Sequence, residues 1–138
     1  MTLVDAGPLI ALIDKAQGVA HRQCLEVQRD LSGPLMTTWP CFTEAMYFLG
    51  HLGGWRGQEA LWNFLSRNAL ILHTASLTET DRMQTLMEQY QDVPMNLADA
   101  SLVALAEASG LKQVFTLDSD FYVYRISGKD NFDVVPLS

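Results

Sequence analysis

Residues 96–121 read NLADASLVALAEASGLKQVFTLDSDF, and their order decides the fold. The Ala- and Leu-rich run opens on Asn96, a good N-cap, with Asp99 three positions on, close to a capping-box layout. It ends at Gly110, the usual glycine stop of a helix. Gln113 to Leu117 then reads as a short buried strand that stops at Asp118-Ser119-Asp120. A helix that delivers the chain into a strand ending in acids is half of a parallel α/β unit.

The same grammar extends outward. At the start, TLVDA is a short apolar run ending in Asp5, and Gly7-Pro8 then opens a short apolar helix carrying Leu9, Ile10, Leu12 and Ile13. His21 to Leu31 has the three- and four-residue apolar spacing of an amphipathic helix. Leu35 to Trp39 reads as a second strand. Pro40 to Leu52 is a helix closed by Gly53-Gly54, and Trp55 to Asn68 is another. Leu70 to His73 is a third strand, Thr78 to Tyr90 a further helix, and Gln91 to Met95 a loop. Phe132 to Pro136 is a fifth candidate strand. Strands separated by helices predict one α/β domain over residues 1–138, with a mainly parallel sheet. In such folds ligands sit beyond the carboxyl ends of the strands.

Composition narrows the function. The chain has 138 residues, which suits one domain, and its 49% hydrophobic and 18% charged content excludes a disordered polymer. No apolar run reaches membrane-spanning length, and the start has no basic region of a signal peptide. The two cysteines, Cys24 and Cys41, lie in helical patterns without metal-ligand spacing and read as small buried thiols of a reducing, cytoplasmic setting. The net charge of −7 disfavours patch-driven nucleic-acid binding, which lives on Lys and Arg. It leaves open an enzyme that holds a phosphodiester through metal ions, where acids are ligands.

The acids fall where such chemistry needs them. Asp5 ends the first strand, Asp118 and Asp120 end the fourth, and Glu44 lies one turn into the helix after the second. These four can converge on one sheet edge, and Asp99 joins them only by a fold-level argument. Clustered carboxylates raise one another's pKa unless cations neutralise them. Mg²⁺ or Mn²⁺ would do so with oxygen ligands, and such ions activate water for phosphodiester hydrolysis. Taken singly, each acid has a plainer reading. Asp5 can cap the next helix, Glu44 can be a solvated helix acid, Asp99 can complement a helix dipole, and Asp118-Ser119-Asp120 can be a turn.

The combination resembles the PIN-domain family, in particular the small ribonuclease toxins of VapBC toxin–antitoxin systems. VDAGPLIALID is similar to the family's first-strand motif, TEAMYFLG to its helix with a Glu, and LADASLVALAEASG with VFTLDSDF to its Asp-bearing helix and acid-ended strand. The resemblance covers nearly the whole chain. It implies a three-layer α/β/α sandwich around a parallel sheet and an Mg²⁺- or Mn²⁺-dependent nuclease with an RNA substrate. It also implies a homodimer and an antitoxin partner that blocks the site. Residue by residue, it matches Asp5, Glu44, Asp99 and Asp118 to the catalytic acids, with Asp5, Asp99 and Asp118 on the metal and Thr116 as a supporting hydroxyl.

Asp120 is the close supporter of Asp118. Both reach the metal pocket if the segment is extended, and they diverge if the chain turns at Ser119. One departure is Asp-Ala-Gly at residues 5–7, where Gly7 lacks a hydroxyl that many members carry. It keeps a second reading open, a catalytically inactive domain acting as a binding or assembly module. Structure-specific DNA cleavage ranks last, for want of an insertion to grip a duplex. Arg56, Arg82 and Arg125 are candidate phosphate contacts, and no role falls to His21, His51 or His73. The aromatics Trp39, Tyr47, Phe48, Trp55 and Trp62 read first as core and otherwise as an exposed strip for a second subunit or an antitoxin helix.

Overall fold

β1 (Thr2–Val4), β2 (Leu35–Thr38), β3 (Leu70–His73), β4 (Gln113–Phe115) and β7 (Asp133–Val134) form one sheet in the order β3-β2-β1-β4-β7. The computed structural model describes residues 1–137, and every pairing in this sheet is parallel. Parallel strands need crossovers, and the helices supply them: α1 (Ala6–Ile13), α2 (Val19–Asp30), α3 (Trp39–Ser66), α4 (Leu77–Gln89) and α5 (Leu97–Ser109).

Strand alternation divides the interior in two. Leu3 and Val114 point to one face, into a core made with Leu86 of α4 and Leu102, Val103 and Leu105 of α5. Val4, Phe115 and Leu35 point to the other, against Leu9 and Leu12 of α1, Cys24 of α2, and Phe42, Leu49 and Leu61 of α3. The expected three-layer α/β/α sandwich is therefore observed, with both faces of a parallel sheet covered.

Most elements fall where the sequence places them. Trp39 is the first residue of α3 rather than the last of β2, because Thr38, still extended, acts as the N-cap and accepts from the Cys41 N–H. The two helices expected on either side of Gly53-Gly54 are one long element interrupted at Gly54, whose φ of 60° and ψ of −149° break the helical path. The two-stranded hairpin β5 (Arg125–Ile126) and β6 (Asp130–Asn131) was not foreseen. It turns at Ser127 and Gly128, both at positive φ. Cys24 and Cys41 are buried and free, as expected.

The aromatic reading needs correction. Tyr47 and Trp55 are each 61% exposed, and Trp39, Phe48 and Trp62 also lie open, so these side chains are at the surface and not in the core. Phe42 is buried in the core instead, with Trp39 and Trp62 edge-on to its ring.

Candidate metal centre

The register of the sheet builds the site. Val4 pairs with Phe115, so Asp5 and Thr116 emerge side by side at the carboxyl edge. The Asp5 N–H donates to the Phe115 carbonyl at 3.0 Å, and the Thr116 hydroxyl donates to Asp5 Oδ2 at 3.0 Å. Asp5 Oδ1 accepts from the Ala6 N–H at 2.8 Å, so the capping role and the site role coincide in one side chain. The Thr116 hydroxyl oxygen also accepts from the Asp118 N–H at 3.0 Å, which ties the fourth-strand acid to the first.

Asp99 arrives from the other direction. Asn96 caps α5 by accepting from the Asp99 N–H at 2.8 Å, half of the capping box the sequence suggests. The Asp99 carboxylate takes a different partner: Tyr124, fully buried, donates its hydroxyl to Asp99 Oδ2 at 2.9 Å. A second link fixes α5 to the sheet, since Thr38 and Ser101 share a hydrogen bond of 2.6 Å and Ser101 donates to the Ala98 carbonyl.

Asp5, Asp99 and Asp118 each place a carboxylate oxygen within 4.8 Å of the others, in a cleft of about 250 Å³. Glu44, Asn96, Gly7 and Leu117 complete much of its wall. Asp5 and Asp99 are buried, at 7% and 5% exposure. None of the ion pairs among the described residues reaches these acids. Burial lifts the Asp5 carboxyl above the usual carboxylate range, with the Asp118 charge adding to it. Burial likewise takes Asp99 up to about 6, and the charges of Asp5 and Asp118 push the same way. Glu44 is raised by burial and by the same two neighbours. Three oxygen donors gathered without a cationic side chain are a donor set suited to a hard divalent cation.

Asp120 goes elsewhere. The chain turns at Ser119 into a 3₁₀ segment, Ser119–Tyr122, and Asp118 caps it by accepting from the Asp120 N–H at 2.9 Å. Asp118 faces the cleft, and Asp120 is outside both the cleft wall and the acid triad. The arginines are also absent from the cleft. Arg82 makes a bidentate pair with Glu107 at 2.7 and 3.1 Å, and Arg125 donates to the carbonyls of Tyr122, Val123 and Tyr124. Arg56 lines a separate depression with Ile13 and Leu49. His21 is held by the Ala11 carbonyl and His73 by Glu79, and neither lines the cleft.

Sequence reasoning missed Tyr124, Thr38 and Ser101. Tyr124 follows the 3₁₀ turn in FYVY, where no period marks an inward side chain. Its contact with Asp99 exists only once α5 and the turn pack together.

Comparison with known proteins follows the same lines. A model of the PIN domain family matches residues 2–126. Ribonuclease VapC26 of Mycobacterium tuberculosis is 26% identical over 137 residues, covering 97% of this chain and 99% of that protein. The crystal structure of Mycobacterium tuberculosis VapC20, described as a sarcin-ricin loop cleaving toxin, superposes with a TM-score of 0.81 at 15% identity, over 89% of this chain and 94% of that one. A toxin–antitoxin complex from Klebsiella pneumoniae gives 0.67 at 20% identity, over 88% and 90%.

Proposed function

The chain belongs to the PIN-domain family, and from that premise we propose that it is a divalent-metal-dependent endoribonuclease, the toxin of a toxin–antitoxin pair. The observation that carries this is the triad Asp5, Asp99 and Asp118, held at the carboxyl edge of the sheet outside every ion pair formed among the described residues. Those three side chains would hold Mg²⁺ or Mn²⁺. When bound, such an ion lowers the pKa of a water and stabilises charge on a phosphodiester oxygen.

The chain's own residues do the rest. Thr116 fixes the Asp5 carboxylate and Tyr124 fixes Asp99, each by a hydrogen bond to one carboxylate oxygen. Glu44 stands on the cleft wall outside the triad, where its carboxylate is placed to take a proton from water. Thr116 favours this reading over the alternative of an inactive domain, since it supplies Asp5 with a hydroxyl partner although Gly7 cannot. A Cβ added at Gly7 would rest 3.5 Å from Leu117, an ordinary contact, so the glycine is not imposed by crowding.

The names of similar proteins support an RNA substrate and an antitoxin partner. The acidic chain, with its net charge of −7, suits a basic antitoxin segment at the cleft. Phe48, Leu52 and Trp55, exposed along α3, support a homodimer in which a second copy covers them. No helix among the described residues is long and apolar enough to cross a membrane. A toxin that cuts cellular RNA and pairs with an antitoxin would act in the cytoplasm. The test is cleavage of single-stranded and structured RNA with Mg²⁺, Mn²⁺ or EDTA. Cleavage that needs the ion and disappears in Asp5→Asn supports the reading, whereas cleavage surviving in EDTA and in that variant contradicts it.

A further inference from the structure

The acid cleft shares two of its wall residues, Glu44 and Asn96, with a second groove of about 620 Å³. This groove runs between the first turns of α3 and α5, and its character changes from acidic to apolar. Trp39 and Tyr47 line the α3 side and Leu97 the α5 side. Trp39, Thr43 and Tyr47 recur at four-residue spacing and so share one helix face. Trp39 is 46% exposed and Leu97 52%, an unusual apolar concentration beside a charged site.

The two rings are exposed but braced. Trp39 donates its indole N–H to Thr74 Oγ1 at 3.2 Å and stands edge-on to Phe42. Tyr47 stands edge-on to Phe48 and to His51. Such rings offer fixed faces, so little conformational freedom is lost when a flat ligand stacks on them. The groove wall carries one charged side chain, Glu44, and neither Lys nor Arg among the described residues. It therefore suits an uncharged aromatic group and not a second phosphate.

We propose that this groove is a nucleobase subsite, in which the base of a nucleotide whose phosphate lies at Asp5, Asp99 and Asp118 stacks on Trp39 or Tyr47. The assignment rests on the nuclease reading above. A polynucleotide held at the acid cleft leaves it carrying bases, and this groove is the concave apolar surface continuous with that cleft. Proteins that hold single strands use aromatic platforms of this kind, which tolerate any base because every base has a π-face.

The experiment compares adenosine 5′- and 3′-monophosphate with ribose 5-phosphate, which keeps a phosphate and lacks the base. Each is titrated in Mg²⁺ by calorimetry and by tryptophan fluorescence, on wild type, Trp39→Ala, Trp39→Phe and Tyr47→Ala. Circular dichroism and a separate Mg²⁺ titration confirm that each variant is folded and still binds the ion. The subsite predicts that at least one nucleotide binds about tenfold more tightly than ribose 5-phosphate, consistent with one stacked base. It also predicts fluorescence quenching that is lost in Trp39→Phe and an affinity advantage that shrinks in Trp39→Ala or Tyr47→Ala. Equal binding of nucleotides and ribose 5-phosphate in an Mg²⁺-competent wild type overturns the subsite alone and leaves the groove as a protein-docking face. Wild type that takes up neither Mg²⁺ nor any phosphate overturns the nuclease reading, and the subsite with it.

Discussion

Asp99 carries the clearest residue-scale consequence. Its carboxyl is buried beside two other acids, and its pKa of about 6 means that the ionised form is costly until a cation arrives. Asp99→Asn keeps the shape and still accepts from Tyr124, but removes that charge. At neutral pH the metal-free variant should be more stable than wild type by up to about 3 kcal/mol, since raising a carboxyl from 3.8 to about 6 costs about 1.4 kcal/mol per pKa unit. Thermal unfolding in EDTA measures this. Thr116→Val removes the hydroxyl that holds Asp5 and accepts from the Asp118 N–H, at nearly constant volume. It should weaken Mg²⁺ binding about 10- to 100-fold by calorimetry, while Thr116→Ser keeps most of the affinity. At this scale the sequence was legible where an acid ends a strand, as Asp5 and Asp118 do. It was ambiguous at Asp120, because extended and turned backbones send that side chain in opposite directions. It was silent on Tyr124, whose role depends on a contact 25 positions away along the chain.

Elements were legible wherever punctuation was strong. Gly53-Gly54 announced a helix end, and the backbone does break there, at a Gly54 conformation that residues with a Cβ avoid. Gly54→Ala should therefore destabilise the fold by about 1–3 kcal/mol. Gly53→Ala, with open space around its Cβ and a helical backbone, should be neutral or slightly stabilising. Urea unfolding of the two variants separates these outcomes. The β5–β6 hairpin was missed because each strand has only two residues, too few to show a period, although Ser127-Gly128 is a turn signal. The exposed aromatics of α3 were misread because apolar residues crowd both faces of that helix. Periodicity then cannot say which face the sheet takes, and packing placed Phe42 and Leu49 inward with Trp39 and Tyr47 outward.

For the whole molecule, the acid cluster couples ion binding to pH and stability. An acid with a raised pKa binds more protons folded than unfolded, so metal-free stability should fall as pH rises from about 4 to about 6, the window set by Asp99, and then level off. Asp5 and Glu44, raised in the same direction, add to this trend. Added Mg²⁺ competes with those protons. The increase in melting temperature it produces should be full near pH 7.5 and shrink below about pH 6. Melting curves across pH, with and without the ion, test both slopes. Calorimetric titration of Mg²⁺ and Mn²⁺ into wild type and Asp99→Asn, paired with RNA cleavage by the same samples, decides whether the acid cleft is a metal-dependent nuclease site. Wild type should bind the ion and cleave RNA only in its presence, and Asp99→Asn should lose both while remaining folded. Wild type that binds no divalent ion, or Asp99→Asn that binds and cleaves like wild type, would contradict that assignment.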